Sequence, residues 1–350
     1  MRTLVRATPC FVLLPLSDRA AWRLSETKTL DGYITRSFYL ATPDTKEVIR
    51  RRIDYLKKIL SESDLDSGAY FSRRGFHINA SEISLLSDAI SDILLGTDFI
   101  TRLISRLSNF ELSNILRLAE RIFLSLDIEI DEMVKARYNN QSFGSDSSRL
   151  LRALICEEKD RLDENENSFI TNLFYTDPEK PSSPLLAIYI LHLLQNRKVN
   201  PADDAIDSRF WLLSDLINIF EVCGIQQEVT LRTTRRLRRR KLVDELNPTT
   251  IEVNIGSFIA ITERGQAHLD LAISSRPYFE QMALVTGLNE NFACDEIDSL
   301  QKQRTSTAFS EIRRVFRHHL MKNDYARIQM PSSKNYESLR SIRRQVEVAT

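Results

Sequence analysis

Glycine is scarce in this chain, nine residues in 350, and no run of apolar residues approaches the ~20 needed to cross a bilayer. The first shortage favours helix, because glycine is costly to hold in one, and the abundance of Leu, Ile, Arg and Glu points the same way. The second argues against membrane insertion. Cysteine is sparse too. Cys10, Cys156, Cys223 and Cys294 lie far apart and form no CxxC pair, so neither a zinc site nor a disulfide framework is expected, and a reducing, cytoplasmic setting fits. Net charge is also lacking. The 48 basic residues equal the 48 acidic ones, so any affinity for nucleic acid has to come from a local patch. The apolar run Cys10 to Leu14 follows Arg2 and Arg6, but it is short, meets Pro15 and has no small-residue cleavage site, so it reads as a strand and not as a leader.

What the chain has in excess is arginine in one place. Seven of the ten residues from Arg232 to Lys241 are basic. At helical pitch Arg232, Arg235, Arg236, Arg239 and Arg240 fall within an arc of roughly 140°, with Leu231, Thr234, Leu237 and Leu242 opposite. Arg238 and Lys241 lie in the apolar arc, which their stems tolerate if the charged heads reach water. Glu228 and Asp244 only flank the run, which predicts a face almost unpaired by acid.

Upstream, Pro184 to Leu194 and Phe210 to Val222 carry apolar residues at helical spacing, and Gly224 is placed to end the second helix. Downstream, Asn247 and Pro248 supply a turn between two runs rich in β-branched residues. The order helix, helix, basic helix, hairpin, helix, with the Leu237, Leu242 and Val243 spacing and the Ile261-Thr262-x-x-Gly265 exit, resembles a winged helix-turn-helix domain over about a hundred residues. The resemblance implies that the third helix enters the major groove of duplex DNA and that the hairpin touches its backbone. The alternatives are a solvated helix face and a winged helix used for docking protein.

The apolar run Cys10 to Leu16 has the character of a strand buried on both faces. It ends in Ser17-Asp18-Arg19. A second short strand is expected at Ser37 to Ala41, and Pro43-Asp44 opens a helix. This order resembles the last strands and lid entrance of AAA-class P-loop ATPases, including the signal-transduction ATPases. Glu111 to Ser125 resembles their third lid helix. By that resemblance Ser17 or Asp18 senses the nucleotide, with Arg117, or secondly Arg121, reaching it from the lid. No GxxxxGK[ST] loop is present, nor a strand ending in the acidic pair that holds Mg²⁺. The chain alone is therefore expected to be no enzyme and to hold no cofactor, although a longer parent would be an ATPase.

Ala80 to Leu126 reads as a small helical bundle. Asn139 to Ser148 reads as a loop, Asp146 as the cap of a helix to Asp163, and Asp177 to Pro184 as a proline-rich hinge. Pro277 to Leu288 and Ser306 to Asn323 read as helices, and Pro331 to Thr350 as a frayed basic tail. His318 and His319 are adjacent on a helix and cannot face one metal. Glu157, Glu158 and Lys159 resemble fragments of a metal-dependent nuclease site, but they sit on a predicted helix with no partner aspartate.

The expected fold is thus mainly α with a small β component. A remnant of a P-loop core (1–45) precedes a helical lid-like bundle (46–140), a helix and linker (141–183), a winged helix (184–285) and a C-terminal helix with a basic tail (286–350). The expected partner is duplex DNA. A separate ATPase chain, or self-association, is the alternative.

Overall fold

The computed structural model describes residues 42–62, 80–125, 146–157, 167–177, 182–196, 209–247, 252–288, 291–303 and 305–348, with a few short stretches between them. The strands expected at Cys10–Leu16 and Ser37–Ala41, and with them Ser17 and Asp18, lie outside the described residues.

The first helix, α1 (Thr45–Glu62), opens where Pro43-Asp44 predicts, with the Asp44 carboxylate accepting the Glu47 N–H at 3.0 Å. Two-residue strands β1 (Tyr70–Phe71) and β2 (His77–Ile78) pair antiparallel before α2 (Ala80–Leu95), α3 (Asp98–Leu107) and α4 (Leu112–Leu124). Ile49, Ile53, Ile93, Ile104, Ile115 and Ile122 meet in the interior of these four helices. Each such side chain contributes about 1.5–3 kcal/mol of apolar burial, and this is what makes a bundle of the periodic segments read from the sequence.

The next helix, α5 (Ser147–Cys156), is capped by Asp146 as expected but stops at Cys156 and not at Asp163. Asn167 terminates it from outside: its Nδ2 donates to the carbonyls of Leu154 and Ile155 at 3.3 and 3.0 Å, while Glu157 turns to φ +56°.

Then follow α6 (Leu186–Gln195), β3 (Trp211–Leu212), α7 (Leu213–Val222), α8 (Gln227–Arg239), β4 (Val243–Glu245), β5 (Phe258–Ile261), α9 (Glu263–Ser274) and α10 (Arg276–Val285). The strands form a three-stranded antiparallel sheet in the order β3-β5-β4, with Trp211 opposite Ile259 and Asp244 opposite Ala260. The hairpin was legible in the sequence; β3, two residues long, was not. Gly224 ends α7 at φ +87°, a conformation that costs glycine nothing. Thr262 caps α9 by accepting the Gly265 N–H at 3.1 Å. A Cβ on Gly265 would come within 2.2 Å of the Leu242 carbonyl oxygen, so glycine here lets α9 press against the end of α8.

Two helix ends of the same design meet at the junction of the bundle and the sheet. Helix α3 ends with Asn109 at φ 50° and the Phe110 N–H on the Ser105 carbonyl. Helix α8 ends with Lys241 at φ 59° and the Leu242 N–H on the Leu237 carbonyl. Asn109 clamps the two, donating to the Lys241 carbonyl at 3.2 Å and accepting the Arg264 N–H at 2.8 Å. Lys241 pairs with Glu111 at 3.1 Å and Arg106 with Asp270 at 2.7 Å.

Helices α11 (Asn291–Gln303), α12 (Ser306–Arg327) and α13 (Glu337–Val348) complete the chain. The tail expected to fray is therefore helical in α13, because Leu339, Ile342 and Val346 share a stripe that packs on α6. Beneath it lies a buried polar knot. Asp324 on α12 pairs with Arg343 at 2.7 Å, accepts from Tyr189 at 2.8 Å and also accepts from Ser183. Burial pushes the Asp324 carboxyl above the usual range, against the pull of Ser183, Arg343 and Tyr189. Ser183, expected in a hinge, is thus locked. The protein is mainly helical with one small three-stranded sheet, and among the described residues no helix is long and apolar enough to cross a membrane.

Candidate nucleic-acid interface

The basic run folds as α8 because it contains neither Gly nor Pro, and Thr230, Leu231, Thr234 and Leu237 line one buried stripe. The five predicted arginines do lie on the opposite side, Arg239 exposed and the other four half-buried. They are not bare. Arg232 pairs with Asp177. Arg235 donates to the Val253 carbonyl at 3.0 Å and approaches Glu252 to 3.8 Å, both in the β4–β5 connection. Arg236 donates to the Asn172 carbonyl at 3.0 Å, and its guanidinium lies 4.4 Å from the centre of the Tyr175 ring. The expectation of a face almost unpaired by acid is corrected: the acids come from residues 177 and 252, which sequence neighbourhood does not reveal.

Arg238 behaves as its position in the apolar arc predicts. Its stem is largely covered and its head reaches Glu245 at 3.4 Å, a carboxylate only 4% exposed that also accepts from Ser257 at 2.7 Å. Of the five predicted arginines, Arg239 at the C-terminal end of α8 is the one exposed to solvent. Cations there also suit the negative end of the helix dipole.

The partners of Arg232 and Arg236 belong to one irregular strap, residues 167–177, which sequence reading treated only as the approach to a hinge. From Asn167 to Phe174 all of it but Ser168 is buried, and three polar side chains satisfy its backbone and its Asn172 side chain. His268 Nε2 accepts the Thr171 N–H at 3.0 Å, the Tyr278 hydroxyl donates to the Thr171 carbonyl at 2.6 Å and accepts from Leu173, and Asn172 donates to the Thr286 hydroxyl at 2.8 Å. Complete burial lowers the His268 pKa to about 4, so the ring is neutral, and its Nδ1–H donates to the Arg264 carbonyl at 2.8 Å. The signal for this strap was present in buried aromatic residues, Phe169 and Phe174, without helical period.

The two arginines on α4 that the lid resemblance singles out lie against the strap. Arg117 and Arg121 stand 5.6 and 4.9 Å from the Phe169 ring, joined there by Arg264 at 5.3 Å, and Arg121 pairs with Glu157. They hold the strap's first turn to the bundle. No cluster of His, Cys, Asp and Glu able to hold a metal occurs among the described residues. Comparison of the chain with protein-family models, with curated proteins and with solved structures returned no match.

Proposed function

We propose that residues 184–285 are a winged helix and that the protein is a cytoplasmic duplex-DNA-binding or regulatory module of a P-loop ATPase, not catalytic by itself. The observation that carries the reading is the order α6, β3, α7, α8, β4, β5 with strands β3-β5-β4 and the arginines on the outer side of α8. That places a cationic helix beside a β connection, the arrangement with which such domains meet a groove and the flanking backbone. In this reading residues 46–140 are the lid-like bundle. Arg239 and Arg240 make first contact with phosphate, and Arg232, Arg235 and Arg236 extend the face.

Each arginine that meets a phosphate releases a counterion, so three to five contacts give a log–log salt slope of about −3 to −5. Titration of a labelled duplex at 50–200 mM salt tests this. Arg239→Ala with Arg240→Ala is expected to flatten the slope by about two while the fold, followed by circular dichroism, is retained. Binding unchanged at both low and moderate salt overturns the DNA reading. The second reading, a protein-interaction subunit whose winged helix docks a partner ATPase chain, is favoured by one observation: Arg232, Arg235 and Arg236 are already answered by the chain's own groups.

A further inference from the structure

The strap has two parts with different footing. Thr171 to Leu173 is fixed by His268, Tyr278 and Thr286 in the interior. Tyr175 to Asp177 has emerged from that core, with Tyr175 45% exposed, and lies along the outer side of α8. What it presents there is one carboxylate to Arg232 and one aromatic face to Arg236, while the Asn172 carbonyl just before it takes the Arg236 N–H. The carboxylate and carbonyl are acceptors set against two guanidinium groups, as phosphate oxygens would be, and the π-face adds to the hold on Arg236. The Arg232–Asp177 pair is about one-third solvent-exposed on both sides, and ion pairs so placed are weak and screened. A polyanion that offers bidentate phosphate contacts outcompetes such a pair.

We propose that Tyr175–Asp177 is a clasp that occupies the first half of the cationic face of α8, and that duplex DNA displaces it from Arg232 and Arg236 on binding. The inference rests on the DNA reading given above. It adds an internal competitor, so that the free protein presents Arg239 to solvent and holds Arg232 and Arg236 in reserve. The clasp filters ligands by charge density: an isolated anion gains little by opening it, whereas a duplex engaged at Arg239 and Arg240 brings phosphates to both covered positions at once.

The test uses the full chain and a labelled duplex of 20–30 base pairs at about 50 mM salt, with the fold of every variant checked by circular dichroism. Asp177→Asn is expected to tighten binding about three- to fivefold, the worth of one partly exposed ion pair, and Asp177→Glu to bind as the parent does. Tyr175→Ala, which removes the aromatic face from Arg236 while leaving its bond to the Asn172 carbonyl, is expected to tighten binding in the same direction. In an Arg232→Ala background the gain from Asp177→Asn should vanish. If the gain persists there, Asp177 acts as a distant charge and not by occupying Arg232, and the clasp is refuted. If Asp177→Asn and Tyr175→Ala both bind as the parent while Arg239→Ala with Arg240→Ala weakens binding, the clasp is wrong and the DNA reading stands. If no variant and no parent binds duplex at any salt, both fall together.

Discussion

Replacing Arg343 by methionine should destabilise the whole C-terminal third of the protein. The side chain is 9% exposed, and it faces an Asp324 carboxylate with no exposure at all, at 2.7 Å. It also donates to the Tyr189 hydroxyl and the Ile328 carbonyl, both at 3.2 Å. Methionine keeps most of the volume but leaves a buried carboxylate with only Ser183 and Tyr189 to answer it. Removing one partner of a buried pair costs about 3–5 kcal/mol, a large share of the 5–15 kcal/mol that holds a typical domain. The loss should fall first on α13, whose attachment to α6 and α12 runs through this knot. Urea unfolding followed by circular dichroism reads the first effect, and limited proteolysis after residue 330 reads the second. Combining Arg343→Met with Asp324→Asn should recover part of the loss, because the uncompensated charge is gone. If Arg343→Met unfolds within 1 kcal/mol of the parent and α13 stays protease-resistant, the knot does not anchor the tail.

Two further outcomes follow from buried groups. His268 is neutral in the folded protein down to about pH 4, whereas the unfolded chain takes up that proton near its ordinary value of 6.5. The unfolded state therefore binds more protons between these values. Stability from this site is full above about pH 6.5 and falls by about 3 kcal/mol as the pH drops to 4; His268→Gln should remove that acid limb in thermal melts, and a limb of equal size in the variant would rule His268 out. Arg238→Ala should cost about 1–3 kcal/mol by leaving Glu245 with Ser257 alone, yet change duplex affinity less than twofold, as paired melting and titration experiments would show.

Local periodicity carried much of the fold. The stripes of α2, α7, α8 and α12 were readable because every third or fourth residue is apolar, and Gly224, Asp146 and Asp44 marked helix ends by their own backbone chemistry. The failures share a cause, which is that the deciding partner lies far away in the sequence. Helix α5 stops early because Asn167 takes its last carbonyls. The C-terminal segment carries a short apolar stripe of its own, Leu339, Ile342 and Val346, but what locks it in place is Arg343 finding Asp324 and Tyr189. The basic face was legible as a set of five arginines on one side of a helix, and that placement held; its state of pairing was not, since Asp177 stands 55 residues from Arg232 and no propensity connects them.

The strap also sets an order of events during synthesis. The groups that complete Thr171, Asn172 and Leu173 are made 97, 114 and 105 residues later. At the usual ~5–20 residues per second of translation, that is a wait of about 5–20 s. Through that interval Phe169, Ile170, Leu173 and Phe174, all destined for the interior, have no cover from α9 or α10. A ribosome that stalls before Tyr278 therefore holds a nascent chain in which these four apolar side chains still lack the partners that bury them.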